Sequence, residues 1–307
     1  MKKSLTMAAA LALAGAVCAQ AQTVTVLSTA QLTDSAAFFP QLSPDGTRLL
    51  YSNTEASRLT LRDVATGGET VVCGTGFPGF DARFAPNGKV YYITQSRSQG
   101  NLIYRTGHEY DPGTGRGRTV LKAQHGAVRP VECSRGFALV GESRSWATGG
   151  NVGLGAYTAG AQVVTFRGKP KFASAMTPVS GTVGCLWASY SPDGTKLMFE
   201  AAAKGLYVID LKRHTITNLG FYLMPSWLGN DYVVAMTNNN SAVRHFNGYK
   251  IVLLKADGKY SRDIAPEGHI QPSCRAVSVA PDGTAVGRVV YTTSHGTVSM
   301  QQIEVKP

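Results

Sequence analysis

Seven basic side chains stand in short polar segments spread along this chain: Arg58, Arg97, Arg144, Lys204, Arg244, His245 and His295. Trp146 and Phe246 lie among them, and Trp187 stands at the start of another apolar run. Guanidinium groups bind carboxylate, sulfate or phosphate in paired hydrogen bonds, and an exposed aromatic ring adds an apolar anchor. Cations interleaved with aromatics therefore suit an anionic glycan, a peptide terminus or an acidic protein surface. Catalytic patterns are poor by comparison. The stretch GESRS at 141–145 lacks the final glycine of a nucleophile elbow. The six histidines, at 108, 125, 214, 245, 269 and 295, fall singly rather than at metal-ligand spacing. Convergence of His125, His245, His269 and His295 at one place in the fold is the arrangement a metal would need. No metal and no cofactor is expected.

The elements that must position these residues come from an internal repeat. LSPDGTRLLYSN (42–53) and YSPDGTKLMFEA (190–201) share Ser-Pro-Asp-Gly-Thr, a basic residue and an apolar run. Proline fixes φ for a tight turn, aspartate suits the next position, and glycine accepts positive φ. Each unit is thus strand, turn, strand. RLTLRDVATGGETVV, which follows the first copy, adds two more strands around a Gly-Gly turn. FAPNGKVYYITQ and VAPDGTAVGRVVYTT are degenerate copies, and RPVECSRGFALVGES and MPSWLGNDYVVAMT keep the pattern without the turn proline. The six turns recur about every 47 residues, the period of a propeller blade. The expectation is an all-β, six-bladed propeller of four-stranded antiparallel blades. The turn aspartates Asp45 and Asp193 shape turns; catalysis is not required to explain them. The last blade offers only three strands before the chain stops. TVTVLSTAQLT (23–33) can supply the fourth and close the ring, which hides two open sheet edges.

These repeats resemble those of the TolB-type WD-like propeller family, on LSPDGTRLLY, YSPDGTKLMF and VAPDGTAVGRVVY. The resemblance implies a six-bladed propeller exported to the periplasm or envelope, serving as a binding platform. It covers the propeller only, because the additional N-terminal domain of TolB has no counterpart here.

The chain ends and composition agree with export. MKKSLTMAAALALAGAVCAQAQ has a basic start, an apolar run and the small-x-small site Ala19-Gln20-Ala21, so residues 1–22 read as a signal peptide and 23–307 as the propeller. Val17 before Cys18 does not fit a lipoprotein cleavage site. No later apolar run is long enough to span a membrane. Without residues 1–22 the chain keeps 28 basic against 19 acidic residues, a formal charge of +9. That charge suits an anionic partner in the envelope, protein or glycan, rather than nucleic acid. A monomer is expected. Four cysteines remain, at 73, 133, 185 and 274. Cys185 and Cys274 each stand seven residues before a turn proline, Pro192 and Pro281. Equivalent positions two blades apart are too distant for a disulfide, so free buried thiols are expected.

The expected function is a non-enzymatic binding module of the cell envelope. Its candidate ligand-binding residues are Arg58, Arg97, Arg144, Trp146, Trp187, Arg244, His245 and His295. The alternative is a glycan-active enzyme, such as a lyase, working at the channel mouth.

Overall fold

The computed structural model describes residues 22–307, except 81, 134–135, 142, 149–152, 158–161, 168, 173–184, 202–203 and 238–248. Strand β1 (Thr23–Gln31) precedes the first blade. That blade is the meander β2 (Phe38–Leu42), β3 (Arg48–Ser52), β4 (Leu59–Asp63) and β5 (Glu69–Cys73). The second is β6 (Arg83–Phe84), β7 (Val90–Arg97), β8 (Ile103–Asp111) and β9 (Arg116–His125). The third sheet holds β10 (Val128–Cys133), β11 (Gly136–Gly141), β12 (Ser145–Ala147), β13 (Gly153–Tyr157), β14 (Gln162–Arg167) and β15 (Lys169–Phe172). The fourth blade is β16 (Cys185–Tyr190), β17 (Lys196–Ala201), β18 (Gly205–Asp210) and β19 (Thr215–Gly220). The fifth is β20 (Tyr222–Leu228), β21 (Tyr232–Thr237), β22 (Ile251–Lys255) and β23 (Ser261–Ala265). The sixth combines β24 (Ile270–Val279), β25 (Ala285–Thr292) and β26 (Val298–Lys306) with β1, in the order β1-β26-β25-β24. The result is an all-β, six-bladed propeller. Among the described residues no helix is long and apolar enough to cross a membrane.

The third sheet departs from the simple meander. Its order is β12-β11-β10-β13-β14-β15, and β13 attaches to β10 through the pair Cys133–Gly155. Gly153 and Gly155 leave β13 without side chains at alternate positions, which permits close approach of two backbones.

The repeated turns are built as their residue types require. Asp45 Oδ1 accepts from the Thr47 N–H at 3.0 Å and the Thr47 hydroxyl at 2.9 Å. Asp193 Oδ1 does the same with Thr195, at 3.0 and 2.9 Å. Gly46 and Gly194 follow at φ +70° and +69°. The outer hairpins repeat the device at the end of the third strand. Asp63 accepts from the Ala65 and Thr66 N–H groups, and Asp210 from those of Lys212 and Arg213. These turns fall at one end of the blades, here the turn face; strand-to-strand links and blade-to-blade crossings fall at the other, the link face. The expected effect of Gly194→Val is a loss of about 1–3 kcal/mol, because a β-branched residue is strained at that φ. A urea midpoint equal to that of the parent would refute it.

Apolar clusters hold neighbouring blades together. Leu50, Leu59 and Leu61 pack with Phe84, Val90 and Tyr92 between the first two blades. Met198 and Leu206 meet Trp227 and Val233 between the fourth and fifth. Leu42 and Leu49 of the first blade meet Val290 and Val298 of the sixth. Cys274 is a free, fully buried thiol within the cluster between the fifth and sixth blades, and Cys73 is also free. Burial pushes the Cys274 thiol up to about 11. Cys274 is therefore not joined to Cys185. The side chains of Cys133 and Cys185 lie outside the described residues.

Candidate functional site

The innermost strands carry an irregularity that the repeat did not reveal. In β2 the register against β3 slips after Phe38↔Ser52 and resumes at Gln41↔Leu50, so Phe39 and Pro40 oppose one residue. The same bulge occurs in β16 at Trp187 and Ala188, in β20 at Met224 and Pro225, and in β24 at Gln271 and Pro272. In all four the first bulge residue has positive φ: Phe39 +54°, Trp187 +49°, Met224 +50° and Gln271 +55°. Large side chains rarely adopt this conformation, which costs of order 1–3 kcal/mol per residue. Bulges re-aim a side chain away from the ladder. Here Phe39, Trp187, Met224 and Gln271 occupy equivalent positions near the link-face start of their innermost strands. All four are half-buried; Met224 packs against the cluster between the fifth and sixth blades, and the Gln271 amide is bonded to Phe39. The signal present in the sequence was proline inside a strand, at Pro40, Pro225 and Pro272.

Contacts between neighbouring blades tie these inner strands together, and one of them joins two of the bulges. Gln271 Oε1 accepts from the Phe39 N–H at 2.8 Å. Ser226 Oγ accepts from the Cys274 N–H at 3.0 Å, and Ser273 Oγ accepts from the Leu42 N–H at 3.3 Å. Trp227 Nε1 donates to the Ser189 carbonyl at 3.2 Å. The open inner edges of the blades thus find partners on the adjoining blade.

The sequence candidates distribute unevenly. Arg58, Arg97, Arg144, Lys204 and His295 are exposed on link-face segments. Trp187 occupies a bulge of the mouth. Trp146 instead packs inward: it is half-buried, with its indole 5.1 Å from the ring of Tyr91. Arg244, His245 and Phe246 lie outside the described residues. Among the other histidines, His125 meets Tyr104 edge-on and His269 meets Tyr291 edge-on. Among the described residues no three His, Cys, Asp or Glu side chains lie close enough together to hold a metal ion.

One carboxylate near the mouth has no equivalent among the candidates read from the sequence. Glu200 of β17 pairs in register with Leu186, the residue before the Trp187 bulge. Its Oε2 is buried without a hydrogen-bond partner among the described residues. Burial pushes its pKa above the usual carboxylate value.

No family model matches the sequence, and no curated protein matches it. Solved structures do. The β-propeller domain of Cps50 (Swd1) from Myceliophteria thermophila is 10% identical with a TM-score of 0.55, covering 91% of this chain and 99% of that one. The WD40 repeats of RRP9 are 10% identical with a TM-score of 0.54, covering 92% of this chain and 100% of that one. Oligogalacturonate lyase from Vibrio parahaemolyticus is 14% identical with a TM-score of 0.47, covering 90% and 79%. At such identities the first two establish likeness of fold, a WD-repeat-like propeller. The narrower TolB-type resemblance rests on the Pro-Asp-Gly repeats alone.

Proposed function

We propose that this chain is an exported, non-enzymatic binding module of the cell envelope, whose ligand sits on the link face over the mouth of the ring. The observation that carries the reading is the fourfold bulge at Phe39, Trp187, Met224 and Gln271. Four independent segments bear the same backbone strain, each near the link-face start of an innermost strand. Strain repeated at one place is a feature of binding sites. The exposed cations Arg58, Arg97, Arg144, Lys204 and His295 surround that apolar centre. An apolar core with a polar, charged rim is the anatomy of a recognition surface. The net positive charge favours an acidic partner, a protein or an anionic glycan.

The test is capture from an envelope extract on immobilised residues 23–307, followed by direct titration of the recovered protein or polysaccharide. The double variant Trp187→Ala, Met224→Ala, with an unchanged circular dichroism spectrum, is expected to bind at least about tenfold more weakly. Undiminished binding by that variant, or no specific ligand in the extract, overturns the reading.

A second reading, a glycan-active enzyme at the same mouth, is supported by Glu200. A carboxyl group whose pKa is raised by burial is suited to act as a general acid. Turnover of an acidic polysaccharide that disappears in Glu200→Gln would favour it over the first.

A further inference from the structure

The crossing from the first blade to the second is held down at three places, Gly76, Gly79 and Ala82. The Gly76 carbonyl accepts from the Gln95 N–H at 2.7 Å. The Gly79 N–H donates to the Ala56 carbonyl at 3.1 Å, on the link of the first blade. The Ala82 carbonyl accepts from Gln41 Nε2 at 2.7 Å, on its inner strand. The two glycines permit this close approach. A Cβ on Gly79 would lie 2.0 Å from Ser52 Oγ and 3.2 Å from Ala56 Cα. One on Gly76 would lie 2.9 Å from Thr94 Cβ, at a φ of +72°. Pro78 and Gly79 are buried.

On either side of this anchored pair, two phenylalanines point away from the body. Phe77 is 52% exposed, on backbone at φ +54°, and Phe80 is 54% exposed. Burying a phenylalanine side chain stabilises a fold. The crossing forgoes that twice and holds one of the rings out on strained backbone. Two cations flank it. Arg58 ends the link that holds Gly79, and Arg97 lies two residues beyond Gln95 on β7. Both are exposed, and among the described residues neither enters an ion pair. Glu55 is the exposed acid of the same link.

We propose that Phe77 and Phe80, with Arg58 and Arg97, form a docking site at the junction of the first two blades for an extended protein segment carrying apolar side chains flanked by carboxylates. The site lies at the link-face junction of the first two blades, shares Arg58 and Arg97 with the rim described above while adding Phe77 and Phe80, and rests on the reading of the chain as a binding module. A peptide fits better than a sugar. Sugar hydroxyls need polar partners, whereas phenylalanine offers none and three backbone groups of the crossing are already bonded to the body. Apolar side chains meet two rigid rings, and carboxylates meet two guanidinium groups.

The experiment titrates residues 23–307 with three probes by fluorescence anisotropy. The first is a short labelled peptide with a central Trp-Leu pair between glutamates. The second is the same peptide with lysine for glutamate. The third is labelled alginate. The acidic peptide is expected to bind, the lysine peptide to bind at least about tenfold more weakly, and alginate to bind no better than the lysine peptide. Phe77→Ala with Phe80→Ser, and separately Arg58→Glu with Arg97→Glu, are each expected to weaken the acidic peptide about tenfold or more. Arg144→Glu, on the third sheet, is expected to leave it unchanged. Phe77→Leu with Phe80→Leu keeps apolar area and serves where the first double variant does not fold; it is expected to retain partial binding. Peptide binding that these variants do not alter overturns this site while leaving the binding-module reading standing. Preference for alginate overturns the partner class. Binding of none of the three probes overturns the site, and the extract capture described above then judges the module reading separately.

Discussion

A chain lacking residues 23–33 is expected to melt about 10 °C or more below the chain that has them, and to aggregate as its concentration rises. The segment β1 lies antiparallel along the whole of β26, from Thr23↔Lys306 to Gln31↔Ser299. Beyond the strand, the Leu32 N–H donates to the Val298 carbonyl at 2.7 Å, and Thr33 Oγ1 accepts from the Val298 N–H at 2.9 Å. Val24 and Leu32 are buried in two separate clusters. Deletion removes both anchors and leaves the outer edge of β26 unpaired, a template for pairing with other chains. For a domain of this size, a loss of about 3–5 kcal/mol corresponds to a shift of this order. Calorimetry at two protein concentrations measures both effects. A melting temperature within about 2 °C of the parent, without concentration dependence, would mean that β1 contributes nothing essential to the sixth blade.

Removing the Glu109 side chain is the second large effect. Glu109 lies on β8 with its side chain 7% exposed. It accepts from the Tyr91 hydroxyl at 2.7 Å, Lys89 Nζ at 3.0 Å and Arg118 Nε at 2.9 Å. Tyr91 is among the largest fully buried side chains and stacks on Phe137 of the third sheet, with ring centroids 5.0 Å apart. In Glu109→Ala the phenol loses its acceptor in a dry site, and two cations lose the charge between them. The expected cost is about 2–3 kcal/mol, tempered because Lys89 and Arg118 reach water.

The pH dependence has a definite sign. Burial by itself raises the Glu109 pKa, but hydrogen bonds from Arg118, Tyr91 and Lys89 outweigh it and hold the group at about 2, against an ordinary 4.5. A depressed pKa in the folded state gives stability that is present above the unfolded value and is lost as pH falls towards the folded one. The stability gap between the parent and Glu109→Gln is therefore full near neutrality and narrows between about pH 4.5 and 2. A gap constant over that window would show that the carboxylate charge is not what stabilises this junction.

Local chemistry made much of the scaffold legible. The Pro-Asp-Gly turns gave the blade period because each closes within a few residues: the Asp45 carboxylate accepts from Ser43 and Thr47, and that of Asp193 from Ser191 and Thr195. The seven aspartates at 45, 63, 111, 193, 210, 257 and 282 all accept from backbone N–H groups two residues on. That is why these aspartates, conspicuous in the sequence, are explained by turns. The candidate site was less legible. Trp146 read as a loop aromatic, yet Tyr91, far away in the chain, draws it inward. Beside Phe77 and Phe80, only contact of Gly79 with Ser52 and Ala56, and of Gly76 with Thr94 and Gln95, shows why those glycines are needed.

The sequence by itself determined the repeat, the number of blades and the positive φ of Gly46 and Gly194, because turn geometry depends on adjacent residues. Only the tertiary structure decided that Phe39, Trp187, Met224 and Gln271 share one backbone strain at one mouth. That arrangement depends on contacts such as Gln271 with Phe39, which are 232 residues apart. No local preference favours positive φ for phenylalanine, tryptophan, methionine or glutamine. At Phe39 the neighbouring blade contributes to it, through the hydrogen bond from the Phe39 N–H to Gln271.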